Sequence, residues 1–97
     1  MSLFFVALRF ADRSLAPEHL PGHRAWIERG LDARAILLAG GLEPGLGGAL
    51  LVTAGDRATA EALVAEDPFV EHGVVTAEIL EIAPAQTDPR LDALRAL

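Results

Sequence analysis

The order of its apolar segments is the feature that most constrains how this chain can fold. Four short stretches rich in Val, Leu, Ile and Phe have the length of strands, and two other stretches carry apolar residues at helical spacing. In chain order, the pattern predicts strand 3–10, helix 21–33, strands 35–39 and 49–53, helix 56–66 and strand 74–82. This βαββαβ order is the ferredoxin-like α+β arrangement, a four-stranded antiparallel sheet with two helices on one face.

The first and third predicted strands are apolar on both faces. In the first strand, Leu3, Phe5 and Ala7 lie on one face, and the residues at positions 4, 6, 8 and 10 on the other face are apolar as well. A half-solvated antiparallel sheet shows alternating polar and apolar residues, and two helices cover only one face of four strands. We therefore expect a second copy of the chain on the other face, which makes the protein a homodimer with facing sheets.

The C-terminal tail, residues 85–97, offers a partial alternative cover for that face. Asp88 followed by Pro89 has the form of a capped helix start, and Leu91, Leu94 and Leu97 form a narrow apolar stripe after it. This stripe predicts that the tail lies over its own sheet or over the sheet of the partner.

Length and composition indicate one globular domain spanning residues 1–97. The hydrophobic fraction of 52% against 23% charged residues excludes general disorder, and 97 residues suffice for one core. No apolar run approaches the roughly 20 residues that span a bilayer, and the apolar start lacks a basic region before Arg9 interrupts it. We therefore expect no membrane segment and no signal peptide. The absence of cysteine fits a reducing compartment, so a cytoplasmic location is expected.

The charge distribution argues against nucleic acid as a partner. The formal net charge is −6, and the eight arginines are scattered along a chain that has no lysine. A phosphate backbone would be repelled by this charge. The glycine-rich segment 40–48 also lacks the residue order of a nucleotide-binding loop, so we expect no nucleotide and no other cofactor.

His23 and Asp67 are predicted to point toward the same apolar layer. His23 lies three and four residues before Trp26 and Ile27, so it shares their face of the first helix. Asp67 follows Val64 by three residues and lies on the inner face of the second helix if that helix extends past Glu66. A carboxylate that bonds a histidine fixes its tautomer and stabilises its imidazolium, as a general acid–base requires. A solvated histidine and an Asp-Pro that merely ends a helix would give the same pattern.

The remaining histidines are weaker candidates. His19 and His23 have the i, i+4 spacing of helical metal pairs, but no third ligand is evident, so a metal site is not expected. His72 precedes a glycine at the start of the last strand and is expected in a surface turn.

Three residues are candidates for binding a small ligand. Arg9 ends the strand face that begins at Leu3 and can pair with an anion, although solvation at the surface explains it equally well. The backbone amides of Gly40 and Gly41 belong to the glycine-rich segment and can hold a carboxylate.

Trp26 lies on the apolar stripe of its helix and is expected in the core.

Two segments of the chain resemble the YciI-like (YCII-related) family. The first begins at His23 and ends with the Ala-Gly-Gly of residues 39–41, and the second is the Asp-Pro-Phe of residues 67–69 before a glycine and the last strand. With the opening strand, the resemblance covers most of residues 3–84. Gly41 stands where the family often has proline, which affects the shape of the adjacent loop.

The resemblance implies a ferredoxin-like fold, pairing into a dimeric α+β barrel, and a His–Asp pair as the proposed active site. These two roles would fall on His23 and Asp67. One hypothesis is a cofactor-free lyase or isomerase in which His23 moves a proton on a small organic acid and Asp67 orients the ring. The alternative is a non-catalytic ligand-binding or interaction domain. A cavity beside the pair favours the first hypothesis, whereas a cavity filled by Trp26 or Phe69 favours the second.

Overall fold

The computed structural model describes residues 1–96 and has the ferredoxin-like α+β fold. Its strands are β1 (Ser2–Phe10), β2 (Ile36–Leu42), β3 (Gly47–Ala54) and β4 (Val75–Ile82), and its helices are α1 (Ala16–Asp32), α2 (Arg57–Ala65) and α3 (Pro68–Glu71). The strands form one antiparallel sheet in the order β2-β3-β1-β4. Within the described residues, no helix combines the length and the apolar character that crossing a bilayer would require.

The helices cover one face of the sheet and form the core with it. Phe4 of β1 pairs with Val52 of β3, and both are fully buried. Trp26 of α1 and Val64 of α2 belong to the same cluster, in which each large apolar side chain contributes about 1.5–3 kcal/mol on burial. The indole Nε1 of Trp26 donates to the carbonyl oxygen of Leu63 at 3.1 Å and so joins α1 to α2. This confirms the prediction that Trp26 lies in the core.

The first helix begins earlier than the sequence predicts. It starts at Ala16 rather than at residue 21, with Pro17 in its first turn and Pro21 inside it. A proline at an interior position removes one backbone hydrogen bond. The helix continues through Pro21 because the apolar face beyond it, which includes Trp26 and Ile27, packs on the sheet.

Asp67 does not lie on α2, because the helix does not extend as far as its predicted position on the inner face would require. The second helix ends at Ala65, and Asp67 is the N-cap of the short helix α3, which the sequence pattern did not reveal. Proline is favoured in the first turn of a helix, so Pro68 both ends α2 and begins α3. The inner direction of the Asp67 side chain is nevertheless as expected, because the residue is fully buried.

The other face of the sheet is open in the single chain. Leu38 is 58% exposed there and Leu80 is 49% exposed. A groove of about 350 Å³ runs along this face beside Phe5 and Leu51. The homodimer that would cover the groove stays a prediction.

The C-terminal tail forms a 3-10 helix over Pro89–Ala96. Its Arg95 lies beside Leu3 and Ile82 at one end of the sheet. No tail residue up to position 96 lines the groove on the open face. Leu97, the last residue of the predicted apolar stripe, lies outside the described residues.

Candidate active site

His23 and Asp67 are hydrogen-bonded to each other. His23 lies in α1, Asp67 precedes α3, and His23 Nδ1 is 2.8 Å from Asp67 Oδ1. The Asp67 side chain is fully buried, and the His23 side chain is 14% exposed. An ionised carboxylate only accepts hydrogen bonds, so Nδ1 of His23 donates in this one. Nε2 is then the ring nitrogen that is left to meet a ligand.

Phe69 holds both members of the pair. Its backbone N–H donates to the same Asp67 Oδ1 at 3.0 Å. Its ring stacks on the His23 imidazole, with centroids 4.0 Å apart and planes 6° from parallel. One residue therefore fixes the carboxylate and the plane of the imidazole. The sequence analysis did not predict this role of Phe69. The only signal for it was the position of an aromatic residue two places after Asp67.

The second carboxylate oxygen of Asp67 has a different environment. Asp67 Oδ2 is buried and has no hydrogen-bond partner among the described residues. A buried polar atom without a partner costs roughly 1–3 kcal/mol.

A cavity of about 160 Å³ adjoins the pair. Its wall is largely apolar and is formed by Leu8, Phe10, Leu20, His23, Gly40, Gly47, Gly48, Phe69 and Val75. His23 is the only ionisable side chain among these lining residues. A closed apolar cavity of roughly 150 Å³ is enough to hold benzene. The cavity beside His23 therefore has the size of a single six-membered ring.

The predicted ligand-binding residues lie in different places. Gly40 lines the cavity, whereas Gly41 lines only the groove on the open face. Arg9 is exposed and lies on β1 between Leu8 and Phe10, which both line the cavity. Because side chains alternate along a strand, Arg9 belongs to the open face. Roles of these three residues in binding stay predictions.

His19 and His72 stack on each other next to the pair. Their ring centroids are 4.0 Å apart and their planes are 6° from parallel. His72 follows α3 with its side chain 46% exposed, in the surface position expected for it. Across residues 1–96, no group of three or more His, Cys, Asp and Glu side chains is arranged to hold a metal ion.

Among solved structures, the chain is similar to 5-chloro-2-hydroxyhydroquinone dehydrochlorinase (TftG) from Burkholderia phenoliruptrix AC1100, in complex with 2,5-dihydroxybenzoquinone. The TM-score is 0.64 at 21% sequence identity, and the match covers 88% of this chain and 95% of that chain. At this identity, the likeness shows a shared fold. No curated protein matches the sequence significantly. The model of the YCII-related domain matches residues 5–84, which confirms the resemblance seen in the sequence. The chain therefore belongs to the family of proteins with a YCII-related domain.

Proposed function

We propose that the protein is a cofactor-free acid–base enzyme, a lyase or isomerase that acts on a single-ring organic acid. The observation that carries the proposal is the 2.8 Å hydrogen bond between His23 and Asp67 at the wall of a ring-sized cavity. With Nδ1 bound to Asp67, Nε2 of His23 is the atom that exchanges a proton with the ligand.

The proposed reaction is a proton transfer on the ring. Nε2 of His23 removes a proton from a carbon or a hydroxyl group of the ligand. In a lyase, the electron pair left behind forms a double bond to the adjacent carbon as the bond from that carbon to a substituent breaks, and the substituent leaves with its bonding electrons. In an isomerase, the electron pair forms a double bond as an existing ring double bond shifts, and the carbon that receives the displaced pair takes the proton back from Nε2. Asp67 stabilises the imidazolium between these steps. A positioned acid–base group of this kind accelerates a reaction typically by about 10²–10⁴-fold.

Two further observations support a ring as the ligand. The cavity wall contains the aromatic rings of Phe10 and Phe69, and its volume matches that of one ring. The similar solved structure is named a dehydrochlorinase and holds a single-ring quinone.

We also propose that the chain acts as a homodimer with facing sheets. Leu38, Leu80 and Ile82 are between 41% and 58% exposed on the open face, and none of the helices α1 to α3 covers it. A second copy of the chain buries these side chains and covers the groove beside Phe5.

The experiment is an activity screen with single-ring hydroquinones, hydroxybenzoates and unsaturated cyclic acids in D₂O. Products and the incorporation of deuterium at carbon are measured by NMR. We expect the wild-type protein to convert at least one compound, and we expect His23→Ala to slow that conversion by about 10²-fold or more. His72→Ala is the matched control, because it removes a more exposed histidine that does not line the cavity, and it should retain activity.

Two outcomes would contradict the proposal. Undiminished conversion by His23→Ala would remove the histidine from the chemistry. Binding of ring compounds in the cavity without conversion or deuterium exchange would indicate the non-catalytic ligand-binding domain instead.

A further inference from the structure

Arg13 does not itself line the cavity, but it contacts the chain on two sides of it. It belongs to a 3-10 turn, Arg13–Leu15, between β1 and α1. Its guanidinium carbon is 4.5 Å from the centroid of the Phe10 ring, and Phe10 lines the cavity. Its Nη2 also donates to the carbonyl oxygen of Gly45, in the turn between β2 and β3. The glycines that follow this turn line the cavity as well.

The charge of Arg13 has no carboxylate partner among the described residues. The adjacent Asp12 directs its Oδ1 to the backbone N–H and the hydroxyl group of Ser14. A guanidinium carries five N–H donors, and Gly45 occupies one of them, so donors remain for a ligand. The net charge of −6 repels a small anion from the molecule as a whole. An anionic ligand therefore needs a local cation at this site.

We propose that Arg13 selects anionic ligands at this cavity. The ring of the ligand occupies the apolar space beside His23, and its carboxylate or other acidic oxygen pairs with the guanidinium at the border. The planar fork of arginine suits a carboxylate, and the contact with the Phe10 ring restricts the position of the guanidinium. This inference rests on the proposed function, because it uses the same cavity. Arg13 would thus be the cation at this site, which the sequence did not reveal. Arg9 lies on the opposite face of the sheet, so it does not supply this charge from within the same chain.

The test compares benzoate with its neutral analogue benzamide. Dissociation constants are measured by NMR titration, followed on the methyl groups of Leu8 and Leu20 in the cavity wall. An ion pair at a solvent-accessible border is worth up to about 1 kcal/mol, so the wild-type protein should bind benzoate roughly three- to fivefold more tightly than benzamide. Arg13→Gln should abolish the preference, and Arg13→Lys, which keeps the charge without the planar fork, should retain part of it.

Arg24→Gln is the matched control. It removes the same charge from an exposed position on α1 that does not line the cavity, and it should leave the ratio of the two dissociation constants unchanged. A ratio is the readout because a purely structural role of Arg13 in holding the turn would change both constants together.

The possible failures are distinguishable. If both compounds bind in the cavity with equal affinity, or if Arg13→Gln keeps the preference for benzoate, the role of Arg13 is overturned and the proposed function stands. If neither compound perturbs the cavity methyl groups, the ring-binding site itself fails, and the role of Arg13 fails with it.

Discussion

Asp67 Oδ1 accepts two hydrogen bonds at once, one from His23 Nδ1 at 2.8 Å and one from the backbone N–H of Phe69 at 3.0 Å. The first bond orients the candidate acid–base group, and the second caps α3. A single carboxylate oxygen thus connects the fold to the candidate site. Substitution of Asp67 should therefore affect both the stability of the fold and the orientation of the His23 ring.

Replacing Asp67 separates the shape of this side chain from its charge. Asp67→Ala removes the cap and the partner of His23, so the free energy of unfolding should fall by roughly 1–3 kcal/mol. Asp67→Asn keeps an oxygen that accepts both bonds and should cost less. Urea denaturation followed by circular dichroism measures the difference. Equal stability of wild type and Asp67→Ala would show that the cap contributes nothing to the fold.

The residues of the site differ in how far the sequence could predict them. His23 was placed correctly because its face of α1 follows from the local spacing to Trp26. Asp67 was expected near it at the end of α2 and lies instead at the start of α3, because an Asp-Pro pair ends one helix as readily as it begins another. Arg13 left no signal, since its contact with Gly45 joins residues 32 positions apart and depends on where the β2–β3 turn folds back.

At the scale of the elements, Gly30 of α1 packs closely against Ile36 of β2. A Cβ atom at this position would lie 2.4 Å from Cδ1 and 2.6 Å from Cγ1 of Ile36, which is almost fully buried. Overpacking of a core typically costs about 1–3 kcal/mol, and the better helix propensity of alanine returns up to about 1 kcal/mol.

Gly30→Ala should therefore lower the free energy of unfolding by up to about 2 kcal/mol. Gly55→Ala is the matched control, because a Cβ atom there meets nothing within 4 Å, and its effect should stay within about 0.5 kcal/mol. Thermal and urea denaturation of both variants check the prediction. A Gly30→Ala protein as stable as the control would mean that Ile36 moves aside without cost.

The start of α2 makes stability depend on pH. Asp56 caps this helix, and hydrogen bonds from the side chain and the backbone N–H of Thr59 lower the pKa of Asp56. A lowered pKa in the folded state gives stability that is present above the ordinary value of 3.8 and is lost as the pH falls through the folded value.

Asp56→Asn keeps a good capping side chain without the charge. The wild-type protein should be the more stable of the two at pH 6, and its advantage should shrink progressively as the pH falls below 3.8. Denaturant titrations across this range measure the difference. Hydrogen bonds from Arg90 also lower the pKa of Asp88. Because Asp88 is present in both proteins, its effect on stability cancels when they are compared. A difference independent of pH would contradict the assigned cause.

For the whole molecule, the exposed apolar residues of the open sheet face predict self-association. Light scattering at micromolar concentration should give about twice the chain mass of 10.2 kDa. Leu38→Glu places a charge on that face and should shift the mass to that of one chain. Leu31→Glu changes an equally apolar, exposed residue on α1, away from the open face, and should leave the dimer intact. A wild-type mass of 10.2 kDa would contradict the dimer.

The most direct test of the central claim is the ¹⁵N NMR spectrum of the His23 ring, recorded at a pH where the ring is neutral, with and without benzoate. The account predicts that the proton resides on Nδ1, where Asp67 accepts it, and that benzoate shifts the resonance of Nε2. His72 serves as the internal control and should respond less, because it does not line the cavity. A His23 ring protonated on Nε2, or one that does not respond to a bound ring compound, would contradict the assignment of this histidine as the group that meets the ligand.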